Sequence, residues 1–313
     1  MILNIVFILV GIVLVLWGAD KFTDGACGVA RRWHVSELVI GLTIVAMGTS
    51  LPELIVSLFS SIRGSGDMSV GNIVGSNIFN TLIIIGASAM VMKIGVTKQI
   101  LYRDTALSLG AAILLFLLGY DKQLSRLEGG ILLAVFVGFL AMLFSEEMRN
   151  KGAEKEAEAE TASSAIVPIW KLALFLLVGI GALVGGGNLL VNGAAELARS
   201  LGVSEGVIGL TILAGGTSLP ELATSLIASR KGSSDLALGN ALGSNIFNIT
   251  FVLGLCNLIT PMNIPQISTV DWIFLIGCNI VLAVCAITRM RLVRAEGIVL
   301  LACYGLYMYL LFR

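Results

Sequence analysis

Charge is scarce in this sequence: Asp, Glu, Lys and Arg make up 13% of 313 residues, against roughly 25% in soluble domains. Twenty basic residues balance twenty acidic ones, so the chain has no positive surplus with which to grip nucleic acid. Histidine occurs once, as His34 beside Arg31 and Arg32. That removes the usual proton relay and leaves no histidine base to serve a nucleophile. The five cysteines (Cys27, Cys256, Cys278, Cys285, Cys303) are odd in number and lack paired short spacings. This argues against a disulfide framework or a structural zinc site and leaves them as small apolar fillers. Met1 to Trp17 has neither a basic stretch before it nor an Ala-x-Ala-type cleavage site after it, and reads as a first membrane span, not a removable signal.

What the chain does have is apolar length. Hydrophobic residues make up 57% and the mean hydropathy is +0.97. Apolar runs of about 20 residues, enough to cross a hydrocarbon core of roughly 30 Å, recur along almost the whole sequence. Spans are expected near residues 2–22, 36–61, 69–92, 101–119, 127–145, 169–190, 204–229, 236–258, 270–288 and 295–312. The expected fold is an all-α polytopic membrane protein of about ten helices, five on each side of one polar stretch. That stretch, Glu146 to Ser164, alternates glutamates with Arg149, Lys151, Lys155 and alanines, the composition of a solvated linker. The chain thus divides into a first five-helix half (1–145), a charged linker (146–167) and a second five-helix half (168–313).

Basic residues set the orientation. With ten spans, one face collects fourteen Lys and Arg and the other five, with Lys21 at an edge. The positive-inside rule then makes the linker cytoplasmic and puts both termini outside, in a multi-pass protein of the cell membrane.

The two halves repeat each other. Val35–Leu54 reads VSELVIGLTIVAMGTSLPEL and Val203–Leu222 reads VSEGVIGLTILAGGTSLPEL, 17 of 20 positions matching at an offset of 168. The same offset pairs GNIVGSNIFN (Gly71–Asn80) with GNALGSNIFN (Gly239–Asn248), 8 of 10 matching. Five spans lie within the offset, so the second copy enters the membrane from the opposite side and the repeats are inverted. Inverted repeats with interrupted helices at mid-membrane are an architecture of secondary transporters. Gly48 and Pro52 interrupt one span, and Gly216 and Pro220 the other; proline removes a backbone hydrogen bond and frees a carbonyl.

Glu53 and Glu221 fall near the middle of these broken spans, where an ionised group costs several kcal/mol unless paired. No Lys, Arg or His reaches comparable depth. Two central carboxylates without fixed counter-charges imply a mobile cation. Thr49, Ser50 and Ser57 share the face of Glu53, and Thr217, Ser218 and Ser225 that of Glu221. Asn72, Ser76 and Asn80, and likewise Asn240, Ser244 and Asn248, recur every fourth residue on the next spans. An all-oxygen shell argues against soft metals, and its irregular mixture of carboxylates, hydroxyls, amides and carbonyls suits calcium better than magnesium.

At these residues the chain resembles the cation/calcium antiporter superfamily, in particular the short prokaryotic sodium/calcium exchangers. The paired GTSLPE and GSNIFN segments, densest over 35–80 and 203–248, are similar to that family's two signature repeats. The resemblance implies alternating-access antiport, with calcium and sodium competing for a midplane cluster, no cofactor and no obligate protein partner beyond the bilayer. By matching position it makes Glu53 and Glu221 the shared carboxylates. Thr49, Thr217, Ser50, Ser218, Ser76 and Ser244 become hydroxyl or carbonyl ligands, Ala46 and Ala214 carbonyl ligands, and Asn80 and Asn248 the lining of the middle position. Potassium-dependent relatives carry Asp where this chain has Asn248, so potassium independence is expected. The short linker excludes the large calcium-binding domains of animal exchangers.

Three readings differ from sodium/calcium exchange. A calcium/proton exchanger would use the same carboxylates. A channel needs no inverted internal repeat, and an intramembrane enzyme would need a nucleophile and base that are absent. Asp20 and Asp24, with counterparts Asn188 and Asn192, read as helix-end solvation, and Gly185–Gly187 as a site of bending or sliding.

Overall fold

The computed structural model describes residues 2–154, 167–202 and 214–311. Within them lie α1 (Ile2–Trp33), α2 (Glu37–Thr49), α3 (Leu51–Ile62), α4 (Gly66–Val91), α5 (Ile100–Leu118), α6 (Arg126–Glu154), α7 (Ile169–Ser200), α8 (Leu219–Arg230), α9 (Ser234–Ile259), α10 (Thr269–Arg289) and α11 (Arg294–Leu311), with a single turn at Ala214–Gly216 before α8. Eight of these helices are long and apolar enough to cross a membrane, and α2 with α3 makes one further span bent by 48°. Residues 204–213 of the span expected at 204–229, and most of the linker, lie outside the described residues. Helix α6 runs past the expected span into the start of that linker.

Local chemistry sets the helix ends. The Ser36 hydroxyl accepts the Val39 amide at 3.3 Å to start α2, and Ser268 with Asp271 forms a reciprocal capping box on α10. The break between α2 and α3 falls at Ser50 (φ −82°, ψ 11°), and its counterpart at Ser218 has φ −87° and ψ 8°. Pro52 and Pro220 each lie in the first turn of the helix that follows, where a missing N–H costs little.

Loops segregate to two faces. The linker face carries the ends of α1, α4, α6, α8 and α10; the opposite, terminal face carries the start of α1 and the end of α11. Two antiparallel β-bridges mark the symmetry. Ile94–Gly95 (β1) pairs with Arg291–Leu292 (β4) on the linker face, and Gln123–Leu124 (β2) with Met262–Asn263 (β3) on the terminal face. The 168-residue offset carries β1 onto β3 and β2 onto β4, so one bridge maps onto the other with the faces exchanged. The repeats are inverted in space as the odd number of crossings requires.

Helices α1 and α7 pack against each other along a glycine seam at the edge of this body. A Cβ on Gly11 would stand 2.7 Å from the Gly186 carbonyl, and one on Gly18 would stand 2.8 Å from that of Gly179. The offset maps the first pair onto the second. Glycine lets two backbones approach where lipid supplies no hydrophobic drive for association. The outer faces of both helices remain apolar and exposed, with Val13 at 65% and Leu177 at 70%, as lipid contact requires. Helices α4 and α9 sit at the centre, burying Ile73, Ile78, Leu242 and Ile246.

Two charge assignments are corrected. Helix α1 extends well past residue 22, so Asp20 and Asp24 are not solvated helix ends: Lys231 at the end of α8 lies 2.7 Å from Asp20 Oδ1 and 2.6 Å from Asp24 Oδ1. Arg103, one of the fourteen basic residues counted on the linker face, lies not in a loop but inside α5, 2.7 Å from buried Asp104 and paired also with Glu146 of α6.

Candidate cation-binding site

The two broken spans bring Glu53 and Glu221 into the protein interior, and both side chains are fully buried. Each is held by the other repeat. Ser218 Oγ donates to Glu53 Oε1 at 3.0 Å, and Ser50 Oγ donates to Glu221 Oε1 at 2.8 Å. Each serine sits at the break itself, where the helix turns and its side chain points across the repeat boundary. Ser76 of α4 also reaches Glu53 Oε1, at 3.4 Å, and stands 3.1 Å from Ser218 Oγ.

The second oxygen of each carboxylate, Glu53 Oε2 and Glu221 Oε2, is buried with no hydrogen-bond partner. Among the described residues no Lys, Arg or His is paired with either. A hydrogen bond to a charged group contributes about 1.5–3 kcal/mol, and one or two hydroxyls per carboxylate do not offset the cost of ionising both at this depth. The remaining expected ligands repeat the pattern of buried oxygen without a partner. Ser244 Oγ, Asn248 Oδ1 and both polar atoms of the Asn80 amide are buried and unbonded. Asn80 and Asn248 each open a π-helical turn, Asn80–Ile84 and Asn248–Leu253, a local widening frequent at functional sites.

Thr49 and Thr217 sit one residue before the breaks, with Thr49 fully buried and Thr217 partly open. The Ala46 carbonyl still accepts the Ser50 amide at 3.0 Å, as well as the Thr49 hydroxyl at 3.4 Å, so the break leaves its helical bond in place. The side chain of Ala214 lies outside the described residues.

Residues that were not expected to take part join the shell. Asn77 Nδ2 donates to the Asn245 carbonyl at 3.0 Å, Asn248 Nδ2 to Asn77 Oδ1 at 3.3 Å, and Asn245 Nδ2 to Thr81 Oγ1 at 2.8 Å. They stitch α4 to α9 beside the carboxylates. The signal was present in the repeated GSNIFN, whose first asparagine also recurs at the offset.

A cavity of about 670 Å³ leads toward this cluster from the terminal face. Its walls come from the break-side end of α3 and the terminal-side halves of α4, α7, α10 and α11, largely apolar, with Asn188 and Asn192 of α7 and Asp271 of α10 on the rim; Asn72, Thr217 and Pro220 form its depth.

An inverted-repeat bundle with a buried, cation-deficient carboxylate pair at its broken helices defines an integral membrane ion transporter. The sodium/calcium exchanger protein family matches residues 3–145 and 171–313. The chain is 40% identical over 319 residues to a putative antiporter, CaxA of Alkalimonas amylolytica, covering 100% of this chain and 99% of that one. It is 31% identical to the sodium/calcium exchanger MaX1 of Methanosarcina acetivorans, covering 99% and 98%. In three dimensions it is similar to the sodium-calcium exchanger NCX_Mj, soaked with 2.5 mM Na+ and 0.1 mM Ca2+, at a TM-score of 0.85 and 30% identity, covering 99% of this chain and 98% of that one. The chain belongs to the sodium/calcium exchanger family, whose activity is cation/calcium antiport.

Proposed function

We propose that this protein exchanges sodium for calcium by alternating access, the ions sharing one site between Glu53 and Glu221. The observation that carries the reading is the state of these carboxylates: each has one oxygen held by a serine of the opposite repeat and the other buried and unpartnered. A divalent ion neutralises the pair, and several sodium ions displace it. Thr49, Thr217, Ser50, Ser218, Ser76 and Ser244 supply hydroxyl or carbonyl oxygens, Ala46 and Ala214 their carbonyls, and Asn80 and Asn248 line the middle. The transported ions are the only ligands the cycle needs.

In this reading the two five-helix halves, 1–145 and 168–313, are the symmetry-related units, with the 146–167 linker cytoplasmic and the terminal face outside the cell membrane. The cavity on the terminal face then makes this the outward-open arrangement, and α1 with α7 slides across the core. Asn248 keeps the cycle independent of potassium.

The test is calcium uptake into proteoliposomes under an imposed sodium gradient, in the presence and absence of potassium. Sodium-driven uptake that disappears in Glu53→Gln and Glu221→Gln supports the reading; normal transport by either variant overturns it. Replacing the sodium gradient by a pH gradient identifies a proton as the coupling ion if uptake then persists.

A further inference from the structure

Asn72 and Asn240 stand at equivalent places on α4 and α9, and each side chain joins three segments. Asn240 Nδ2 donates to the Ser225 hydroxyl at 2.9 Å and to the Glu221 carbonyl at 3.2 Å, while its Oδ1 accepts the Thr49 hydroxyl at 3.1 Å. Asn72 Nδ2 donates to the Ser57 hydroxyl at 3.0 Å and to the Glu53 carbonyl at 3.5 Å, while its Oδ1 accepts the Thr217 hydroxyl at 3.5 Å. An amide alone among the side chains of this size offers two donors and an acceptor together. Its donors grip the helix that carries its own repeat's glutamate, and its acceptor grips the break of the other repeat.

The two bridges are chemically the same and physically different. Asn240 and Thr49 are both fully buried. Asn72 and Thr217 face the terminal-side cavity, and each of their three distances is the longer of its pair. Thr49 ends the half-span that enters from the linker face and Thr217 stands at the equivalent place in the inverted repeat, so each bridge lies on the path from one side.

We propose that Asn72 and Asn240 are positioning residues of the exchange cycle, each hanging the opposite repeat's threonine from its own repeat's glutamate helix, and that the two bridges tighten alternately, short and dry on the closed face, long and wetted on the open one. The inference rests on the reading above, in which the threonines and glutamates surround the transported ion. Removing the Asn240–Thr49 bridge then destabilises the arrangement closed at the linker face, and removing Asn72–Thr217 destabilises its mirror image. A neutral hydrogen bond contributes about 0.5–1.5 kcal/mol, which is a shift of about two- to tenfold in the population ratio.

The experiment follows the cavity directly. In a chain whose five cysteines are replaced by alanine, Val184→Cys places a thiol on the cavity wall, and its labelling by a membrane-impermeant maleimide is timed in reconstituted protein without sodium or calcium. Asn240→Ala is expected to slow labelling about two- to tenfold and Asn72→Ala to leave it the same or faster. Thr49→Val and Thr217→Val break the same bridges from the other end with side chains of equal shape. They are expected to reproduce the respective shifts, and the Asn240→Ala/Thr49→Val double variant to add nothing to either single one. Equal slowing in all four variants, or unchanged labelling in a folded Asn240→Ala or Thr49→Val protein, overturns the inference. Labelling without ions is independent of the coupling ion, so it stands or falls apart from the uptake assay.

Discussion

The Ser218 hydroxyl donates to Glu53 across the boundary between repeats at 3.0 Å, and the symmetry-related Ser50 donates to Glu221 at 2.8 Å. Neither carboxylate is oriented by its own half of the chain alone. The site therefore exists only when the two halves are docked, and any motion of one repeat against the other changes both carboxylates at once.

That crosswise arrangement makes the serines strong determinants of affinity. A hydrogen bond to an ionised carboxylate contributes about 1.5–3 kcal/mol, a factor of roughly ten to a hundred or more. Ser50→Ala and Ser218→Ala are expected to raise the half-saturating calcium concentration by about tenfold or more, measured as calcium-45 uptake. The double variant should lose less than the two single losses added together, because both serines serve one cluster.

Removing a central charge should trade transport for stability. A buried carboxylate without a counter-charge costs several kcal/mol at membrane depth, so Glu53→Gln and Glu221→Gln are expected to melt above the wild-type protein in ion-free buffer at pH 8. Calcium at a hundred times its dissociation constant stabilises a binding protein by about 2.7 kcal/mol. That calcium-induced rise in melting temperature should be absent from both variants.

The glycine seam gives a contrast within one residue type. A Cβ at Gly18 meets the Gly179 carbonyl at 2.8 Å and the Ala182 Cβ at 2.9 Å, whereas one at Gly110 of α5 meets nothing within 4 Å. Gly18→Ala is expected to destabilise by about 1–3 kcal/mol through overpacking. Gly110→Ala should stabilise by up to about 1 kcal/mol through helix propensity. Thermal unfolding of the two variants in the same detergent measures the difference.

The Lys231 cluster ties α1 to α8 on the linker face. Its side chains are 30–42% exposed, so each pair contributes about 0.2–1 kcal/mol and is screened by salt. Lys231→Gln is expected to lower the melting temperature in dilute buffer, with the difference shrinking as potassium chloride is added. Burial lowers the Lys231 pKa, but hydrogen bonds to Asp20 and Asp24 outweigh it and hold the ammonium above the ordinary lysine range. A raised pKa means the contribution is complete below the unfolded value of 10.5 and is lost as pH rises through the folded one. The Lys231→Gln difference should therefore stay constant from neutral pH until strongly alkaline conditions.

Much of the site was legible because its pieces are local and doubled. The breaks at Ser50 and Ser218, the mid-span depth of Glu53 and Glu221, and the asparagines opening the two π-helical turns all lie within twenty-residue windows that recur at one offset. The partners were not legible. Ser218 meets Glu53 and Asn77 meets Asn245 over separations of 165 and 168 residues, and no spacing rule along one helix reaches that far. The role of Asp20 and Asp24 was illegible for the same reason: besides the neighbouring Lys21 they pair with Lys231, which lies more than 200 residues away.

By itself the sequence determined the inverted topology and the shortage of positive charge at its centre, because an odd number of crossings between repeats forces inversion and no basic residue falls at mid-span. The tertiary structure decided which oxygens face which carboxylate, which of them stay unpaired, and which face the cavity opens on. Two repeats with nearly identical signature segments can dock with either side closed, and only the packing of the folded chain distinguishes the two.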